Sequence, residues 1–272
     1  MPHSLSSVRD VVENLWPLAG AEGWDAPGLV SGDPAAPVDR ILLAVDPVAA
    51  TVEEAVGGGV QLLITHHPLL LRGVTSVAED RYKGALLASL IRGGCALIAA
   101  HTNADVVADG TSAVLAQRLG LSGTVPIVPA ADGTTGIGRV GMLAEPTTLG
   151  ALARRLAAIL PPTAGGIRAA GEYHQPVQRV AVCGGAGDSL LASAPVRDSD
   201  VYITADLRHH PASEAREQAA RGGGPALLDV SHWASEWLWL DTAAEQLRAA
   251  LPGVSVDVSE LRTDPWDFAI LQ

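Results

Sequence analysis

At 272 residues, 48% of them hydrophobic and only 4% aromatic, the chain is long enough for one large or two medium domains whose cores are built from Ala, Val and Leu rather than from rings. A formal net charge of −12, with Lys83 the only lysine, argues against a nucleic-acid groove, which needs a positive stripe to neutralise phosphates, and suits a protein that attracts cations. No apolar run approaches the roughly 18–20 residues of a membrane span, and no basic-then-hydrophobic leader is seen, so the expected location is the cytoplasm, with Cys95 and Cys183 as buried free thiols.

Residues 4–18 carry helical periodicity, with Leu5, Val8, Val11, Val12, Leu15 and Leu18 at three- and four-residue steps and Ser6 or Ser7 available as a cap. Trp24-Asp25-Ala26-Pro27-Gly28-Leu29 reads as a turn. Residues 40–46 form a buried strand of parallel type that ends in Asp46 and Pro47. A short helix over 50–55 and a Gly-rich turn lead to the apolar strand that ends in Thr65-His66-His67-Pro68. A helix over 82–92, a strand over 95–100 ending at His101, and a helix over 110–120 capped near Thr111 or Ser112 follow. This alternation predicts a parallel sheet covered on both faces.

Around 121–129 the composition turns to Gly, Pro, Thr and Val, and a boundary is placed there. Beyond it come a strand over 138–143, a helix over 148–160 capped by Thr147 or Thr148, and a strand over 179–183 that runs into Gly184-Gly185-Ala186-Gly187. A short helix over 189–194, a strand over 200–204, and a strand over 226–230 that delivers His232 complete the series. The expected fold is α/β, made of duplicated three-layer α/β/α units with mostly parallel sheets. The expected division is 1–124 plus 226–272, carrying the metal ligands, and 125–225 as a second, similar unit.

The duplication rests on an internal match. Arg40 to Thr65 and Arg179 to Thr204 span the same separation, both read strand, helix, strand, and both end in Ile-Thr. Each is followed by a helix and a strand that delivers a histidine with a carboxylate four residues on: His101 with Asp105, and His232 with Glu236.

In parallel α/β sheets, ligands collect at the carboxyl ends of the strands. Asp46, His66, His67, His101 and His232 are all predicted there. Neighbouring strand residues point to opposite faces, so His66 and His67 can serve one compact site only if the strand has ended, as Pro68 implies. On a helix, residues four apart share a face, which pairs His232 with Glu236. A carboxylate can bridge two cations. The ligand inventory is then His66, His67, Asp105, His232 and Glu236, around two divalent ions of the Zn, Fe, Mn, Co or Ni class. His101 is read as orienting Asp105, and Glu236 and His101 as the catalytic pair. Asp25 and Asp46 are acceptors behind the ligands or plain turn residues. His209 and His210 are either exposed at a helix start or part of the site; His3 and His174 are solvated. The Gly184–Gly187 turn lacks the lysine of a nucleotide loop, so a plain tight turn is preferred to a phosphate cradle.

These residues resemble the NGG-interacting-factor-three-like proteins, often called GTP cyclohydrolase 1 type 2 homologues, in their short bacterial form. The motifs are Trp24-Asp25-x-x-Gly28-Leu29, Ile64-Thr65-His66-His67-Pro68, Ala100-His101-Thr102-Asn103-x-Asp105, the Gly184-Gly185-x-Gly187 turn and His232-x-x-x-Glu236. The resemblance implies two intertwined α/β units, a toroidal hexamer and di-metal sites held by the same five residues. One departure is Ala26, where the family often has Asn. The function expected is metal-dependent hydrolysis of a small nucleotide-like substrate, for which phosphate-binding groups are sparse: Arg72, Arg81, Arg208 and the Gly184–Gly187 turn. The competing expectation is a non-catalytic scaffold that binds or delivers metal.

Overall fold

The computed structural model describes residues 3–270. The chain groups into two compact units, Met1–Val107 with Leu240–Thr263, and Ala108–Trp239 with Asp264–Gln272. The sequence reading put 226–272 with the first unit. The strand Ala226–Val230 instead pairs in parallel along its length with Val201–Ala205, and so groups with the second.

The main sheet of the first unit runs, edge to edge, Ser255–Val258, Arg40–Ala44, Leu62–Thr65, Ala96–Ala99, Gly28–Ser31. All are parallel except the last, which pairs antiparallel with Ala96–Ala99. The central strands are apolar throughout because both faces are covered. Ile41, Leu43, Leu62, Leu63, Leu97 and Ile98 are fully buried. One face packs Leu42, Leu63 and Leu97 against Val52 and Ala55 of the helix Ala49–Gly57 and Leu86, Leu87 and Leu90 of the helix Tyr82–Arg92.

The main sheet of the second unit runs Arg168–Ala170, Ala226–Val230, Val201–Ala205, Pro176–Ala186, Arg139–Thr148, Ser122–Val125. Its three inner strands from 226–230 to 176–186 are parallel, and the outer ones antiparallel. Ala181, Cys183, Tyr202 and Leu227 pack with Ile127, Val140 and Val196. The internal match is visible in the registers. Leu42 lies opposite Leu63, and Ala181 opposite Tyr202, the same 21-residue offset in both units. Each parallel core is also flanked beyond its third strand by a short antiparallel one.

Four strands of the two main sheets escaped the sequence reading: Gly28–Ser31, Ser122–Val125, Arg168–Ala170 and Ser255–Val258. All lie at sheet edges, and Ser122–Val125 is exposed at every position, so no alternation of apolar side chains announces it. Two caps also differ. The first helix, Leu5–Leu15, is capped by Ser4, whose hydroxyl accepts from the Ser7 amide at 3.2 Å. The helix Thr111–Arg118 starts from Gly110 without a side-chain cap. Its Ser112 hydroxyl instead accepts from the Gly184 amide at 3.1 Å, tying a strand end in place. Among the described residues, no helix is long and apolar enough to cross a membrane.

Cys95 and Cys183 are buried thiols outside any disulfide, and burial pushes the Cys95 thiol up to about 11. A thiol so raised carries little thiolate at pH 8. Neither cysteine is expected to react with a disulfide reagent at pH 8 in native buffer, and both are expected to react once urea unfolds the chain. Prompt titration of either in the native protein would show that these strands open far more readily than their packing implies.

Candidate metal centre

Each unit presents a donor cluster at the carboxyl ends of its parallel strands. In the first unit, the strand Leu62–Thr65 stops one residue short of the two histidines. The Thr65 hydroxyl donates to the His67 carbonyl at 2.8 Å and turns the chain there. That turn releases the adjacent imidazoles from opposite-face geometry, and their ring centroids lie 5.2 Å apart. The strand Ala96–Ala99 delivers His101, and the one-turn helix Thr102–Asp105 brings Asp105 back to the same place. This turn is held by its own residues: the Asn103 side chain accepts from the His101 amide at 2.9 Å and donates to the Trp16 carbonyl at 2.7 Å.

Ring nitrogens of His66, His67 and His101 all lie within 4.8 Å of one another, and Asp105 Oδ1 is 3.8 Å from His66 Nε2. The far side of each ring is engaged. His66 Nδ1–H donates to the Ala100 carbonyl at 2.8 Å, His67 Nδ1–H to Asp46 Oδ1 at 2.7 Å, and His101 Nδ1–H to Asp25 Oδ1 at 2.8 Å. A carbonyl or carboxylate can only accept, so the proton is fixed on Nδ1 and the lone pair on Nε2. This is the arrangement that ligating histidines use to fix tautomer and orientation. Asp25 and Asp46 therefore stand behind the imidazoles. Asp25 also accepts from the Thr102 amide at 3.0 Å and the Thr102 hydroxyl, and Asp46 from the Thr263 hydroxyl. Burial would raise the Asp25 carboxyl, but the hydrogen bonds from Thr102 and His101 outweigh it and hold it below its ordinary 3.8. Burial, with the neighbouring His66, pushes His101 below its ordinary 6.5 despite Asp25.

In the second unit, the helix His232–Ala250 begins at the strand end Val230. Ser231 caps it, its hydroxyl accepting from the Ala234 amide at 3.2 Å. One helical turn then sets His232 Nε2 2.9 Å from Glu236 Oε1, the carboxylate being buried. Again the far nitrogen is held: His232 Nδ1–H donates to Asp206 Oδ2 at 2.7 Å. Burial alone would lower the His232 pKa, but the Glu236 and Asp206 carboxylates outweigh it and push it up to about 11. This raised pKa stabilises the fold fully below pH 6.5, and the contribution is lost as pH climbs toward 11.

Gly185 closes the floor of this cluster. It sits at φ +68°, and a Cβ there would come 2.4 Å from Glu236 Oε1 and 3.2 Å from His232 Nε2. Its amide donates to the Ser235 hydroxyl at 2.9 Å, and that of Gly184 to Ser112. The glycine turn thus seats the carboxylate, and these two amides are already engaged. His209 and His210 are exposed at the start of the helix His209–Ala220, and Arg208 pairs with Asp188.

Imidazoles with Nδ1 anchored, together with carboxylates, make a donor set that fits a divalent transition metal. Asp206 was missed by the sequence reading. The signal was the internal repeat: Asp206 lies two residues past Thr204, as His67 lies two past Thr65. Asp206 is also the one non-glycine residue at positive φ, +56°, among the described residues. Strain of this kind tends to collect at functional positions. Asp206→Gly keeps the turn and removes the carboxylate, and should weaken divalent-metal affinity about 10–100-fold with an unchanged circular dichroism spectrum. Wild-type affinity in that variant would show that the Asp206 contact does nothing for ligation.

The profile of the Duf34/NIF3 (NGG1p interacting factor 3) family matches residues 3–265. The chain is 48% identical to a Streptomyces coelicolor protein called GTP cyclohydrolase 1 type 2 homolog, over 96% of this chain and 93% of that one. It is 36% identical to a Mycobacterium tuberculosis protein of the same name, over 97% of each. A Bacillus cereus protein related to NIF3 has the same fold, with a TM-score of 0.90 at 23% identity over 99% of this chain and all of that one. A Staphylococcus aureus hypothetical protein gives 0.88 at 26% identity, over 99% and 100% of the two chains. On the profile and the level of identity together, the chain belongs to the Duf34/NIF3 family.

Proposed function

We propose that the protein is a hydrolase working with two divalent cations of the Zn, Fe, Mn, Co or Ni class, held by His66, His67 and Asp105 and by His232 and Glu236, and acting on a small nucleotide-like substrate. The observation that carries this reading is the anchoring of four imidazoles through Nδ1, each to a carboxylate or carbonyl, which leaves Nε2 as the ligating atom in each, that of His232 only once its proton is lost. The names of the relatives, GTP cyclohydrolase 1 type 2 homolog, support the substrate class. Bound cations would supply Lewis-acid activation of water and polarisation of an electrophilic carbon or phosphorus.

The chain's own residues do the positioning and the proton work. Asp25 holds the His101 ring, and the lowered pKa keeps it neutral near pH 7, able to take a proton at Nε2. Glu236, seated on Gly185, offers a buried carboxylate as the second proton acceptor. We place the protein in the cytoplasm, where thiols stay reduced, as a toroidal homohexamer. A light-scattering mass of fewer chains would remove the assembly part of the proposal.

A second reading, a metal-binding or metal-delivering scaffold, is favoured by the engagement of three of the groups a phosphate could use. Arg208 is paired with Asp188, and the Gly184 and Gly185 amides are taken. The two readings separate in one experiment. Protein loaded with each defined metal is offered GTP and a panel of phosphoesters, alongside Asp105→Ala and Glu236→Ala. Turnover by wild type, lost at least about 100-fold in both folded variants, is expected of the hydrolase. Tight, exchangeable metal with no turnover on any substrate identifies the scaffold and ends the catalytic proposal.

Proton release provides an independent check. His232 is held as imidazolium well above neutral pH, so its nitrogen must lose a proton before it can ligate. Metal uptake at pH 7 is expected to release protons, and affinity should fall as the pH is lowered. Release that persists unchanged in His232→Gln would place the titrating group elsewhere.

A further inference from the structure

We propose that Trp24 is a stacking platform for a planar heteroaromatic ring, so that the substrate of the first unit's imidazole cluster is recognised by its base. The inference rests on reading that cluster as the reaction centre. Of the six tryptophans, Trp16, Trp233 and Trp239 are buried, while Trp24 and Trp266 are 60% and 67% exposed, and Trp24 lies beside an imidazole of the cluster. Its ring lies 5.7 Å from that of His101 and nearly perpendicular to it, at 79°. His101 in turn has a ring nitrogen within 4.8 Å of those of His66 and His67. An indole left in water is a large apolar surface, and here it stands beside the donor cluster.

This exposure is a held position. The Glu22 amide donates to the Thr102 hydroxyl at 3.0 Å, the Asp25 amide to the Glu22 carbonyl at 3.0 Å, and the Ala26 amide to Asp25 Oδ1 at 2.7 Å. Asp25 itself accepts from His101 and Thr102. Directly afterwards Gly28 pairs with Ala99 and Leu29 with Ile98, at the strand that delivers His101. The turn bearing the indole is therefore fastened to the segment bearing the imidazole. The hydrogen bonds that orient His101 also set where Trp24 stands. Stacking on a tryptophan face accepts any planar base and gains most from large ones, without a cationic partner. That suits a chain of net charge −12. Trp24 is a binding residue in this scheme, with no part in proton transfer.

Calorimetric titration of metal-loaded, full-chain protein with guanosine, cytidine and inorganic triphosphate tests the idea in wild type, Trp24→Phe and Trp24→Ala. Guanosine should bind wild type more tightly than cytidine, lose about tenfold or more in Trp24→Ala, and stay within a few-fold in Trp24→Phe. Triphosphate binding should not distinguish the three proteins. Equal guanosine affinity in wild type and Trp24→Ala overturns the proposal, as does the absence of nucleoside binding to wild type. Metal content measured on the same samples separates the failures. Wild type that retains metal while guanosine affinity ignores Trp24 rejects the platform alone. Wild type that holds no metal rejects the reading beneath it.

Discussion

A histidine binds metal with one nitrogen, and what the other nitrogen does decides whether the first is available. In this chain the same solution recurs four times. The acceptors are the Ala100 carbonyl and the carboxylates of Asp46, Asp25 and Asp206. Each fixes a proton on Nδ1 and aims Nε2 away from the acceptor. Without these contacts the same imidazoles would need ordering at the moment of ligation. The acceptors are in turn held by others, Asp25 by Thr102 beside His101 itself and Asp46 by Thr263, a residue in a segment carrying no donor.

The sheets explain why the donors arise where they do. A parallel strand buried on both faces has no room for a polar side chain along its length, so chemistry is displaced to its carboxyl end. Thr65 and Thr204 are both fully buried last polar residues before that end, and their hydroxyls bond to backbone, Thr65 to the His67 carbonyl two residues on and Thr204 to the Gly185 carbonyl at the end of the neighbouring strand. Satisfying those hydroxyls internally lets the chain turn sharply within hydrogen-bonding distance of the sheet. The turn places His67 on one side of the molecule's internal repeat and Asp206 on the other.

Much of this was legible in the sequence. The central strands announced themselves because burial on both faces leaves an unbroken apolar run, and Ile64-Thr65-His66-His67-Pro68 or His232-x-x-x-Glu236 carry their spacing on the surface of the text. Edge strands such as Ser122–Val125 were illegible because backbone pairing, not side-chain burial, makes them. The carboxylates behind the rings were only half legible. Asp25 and Asp46 could be named, yet nothing in spacing says that Asp25, separated from His101 by 76 residues, holds it. Nor could spacing correct the repeat's phase. Thr65 pairs with Ala99 but Thr204 with Asp229, so the strand-end equivalent of His101 is Ser231, and His232 follows one residue later.

That one-residue shift has a physical consequence. His101 sits before its short helix and is reached by a carboxylate from a distant turn, whereas His232 is the first residue of a long helix and faces a carboxylate on the next turn. The first ring is surrounded mainly by other imidazoles and is held neutral; the second lies between Asp206 and Glu236 and is held charged. Two similar backbones thus yield opposite protonation preferences before any cation arrives. A neutral nitrogen can accept a proton or a cation at once, while a charged one must first surrender its proton. The imidazole cluster of the first unit and the His-Glu pair of the second therefore differ in their readiness to take a cation, and the difference follows from where each histidine stands relative to its helix.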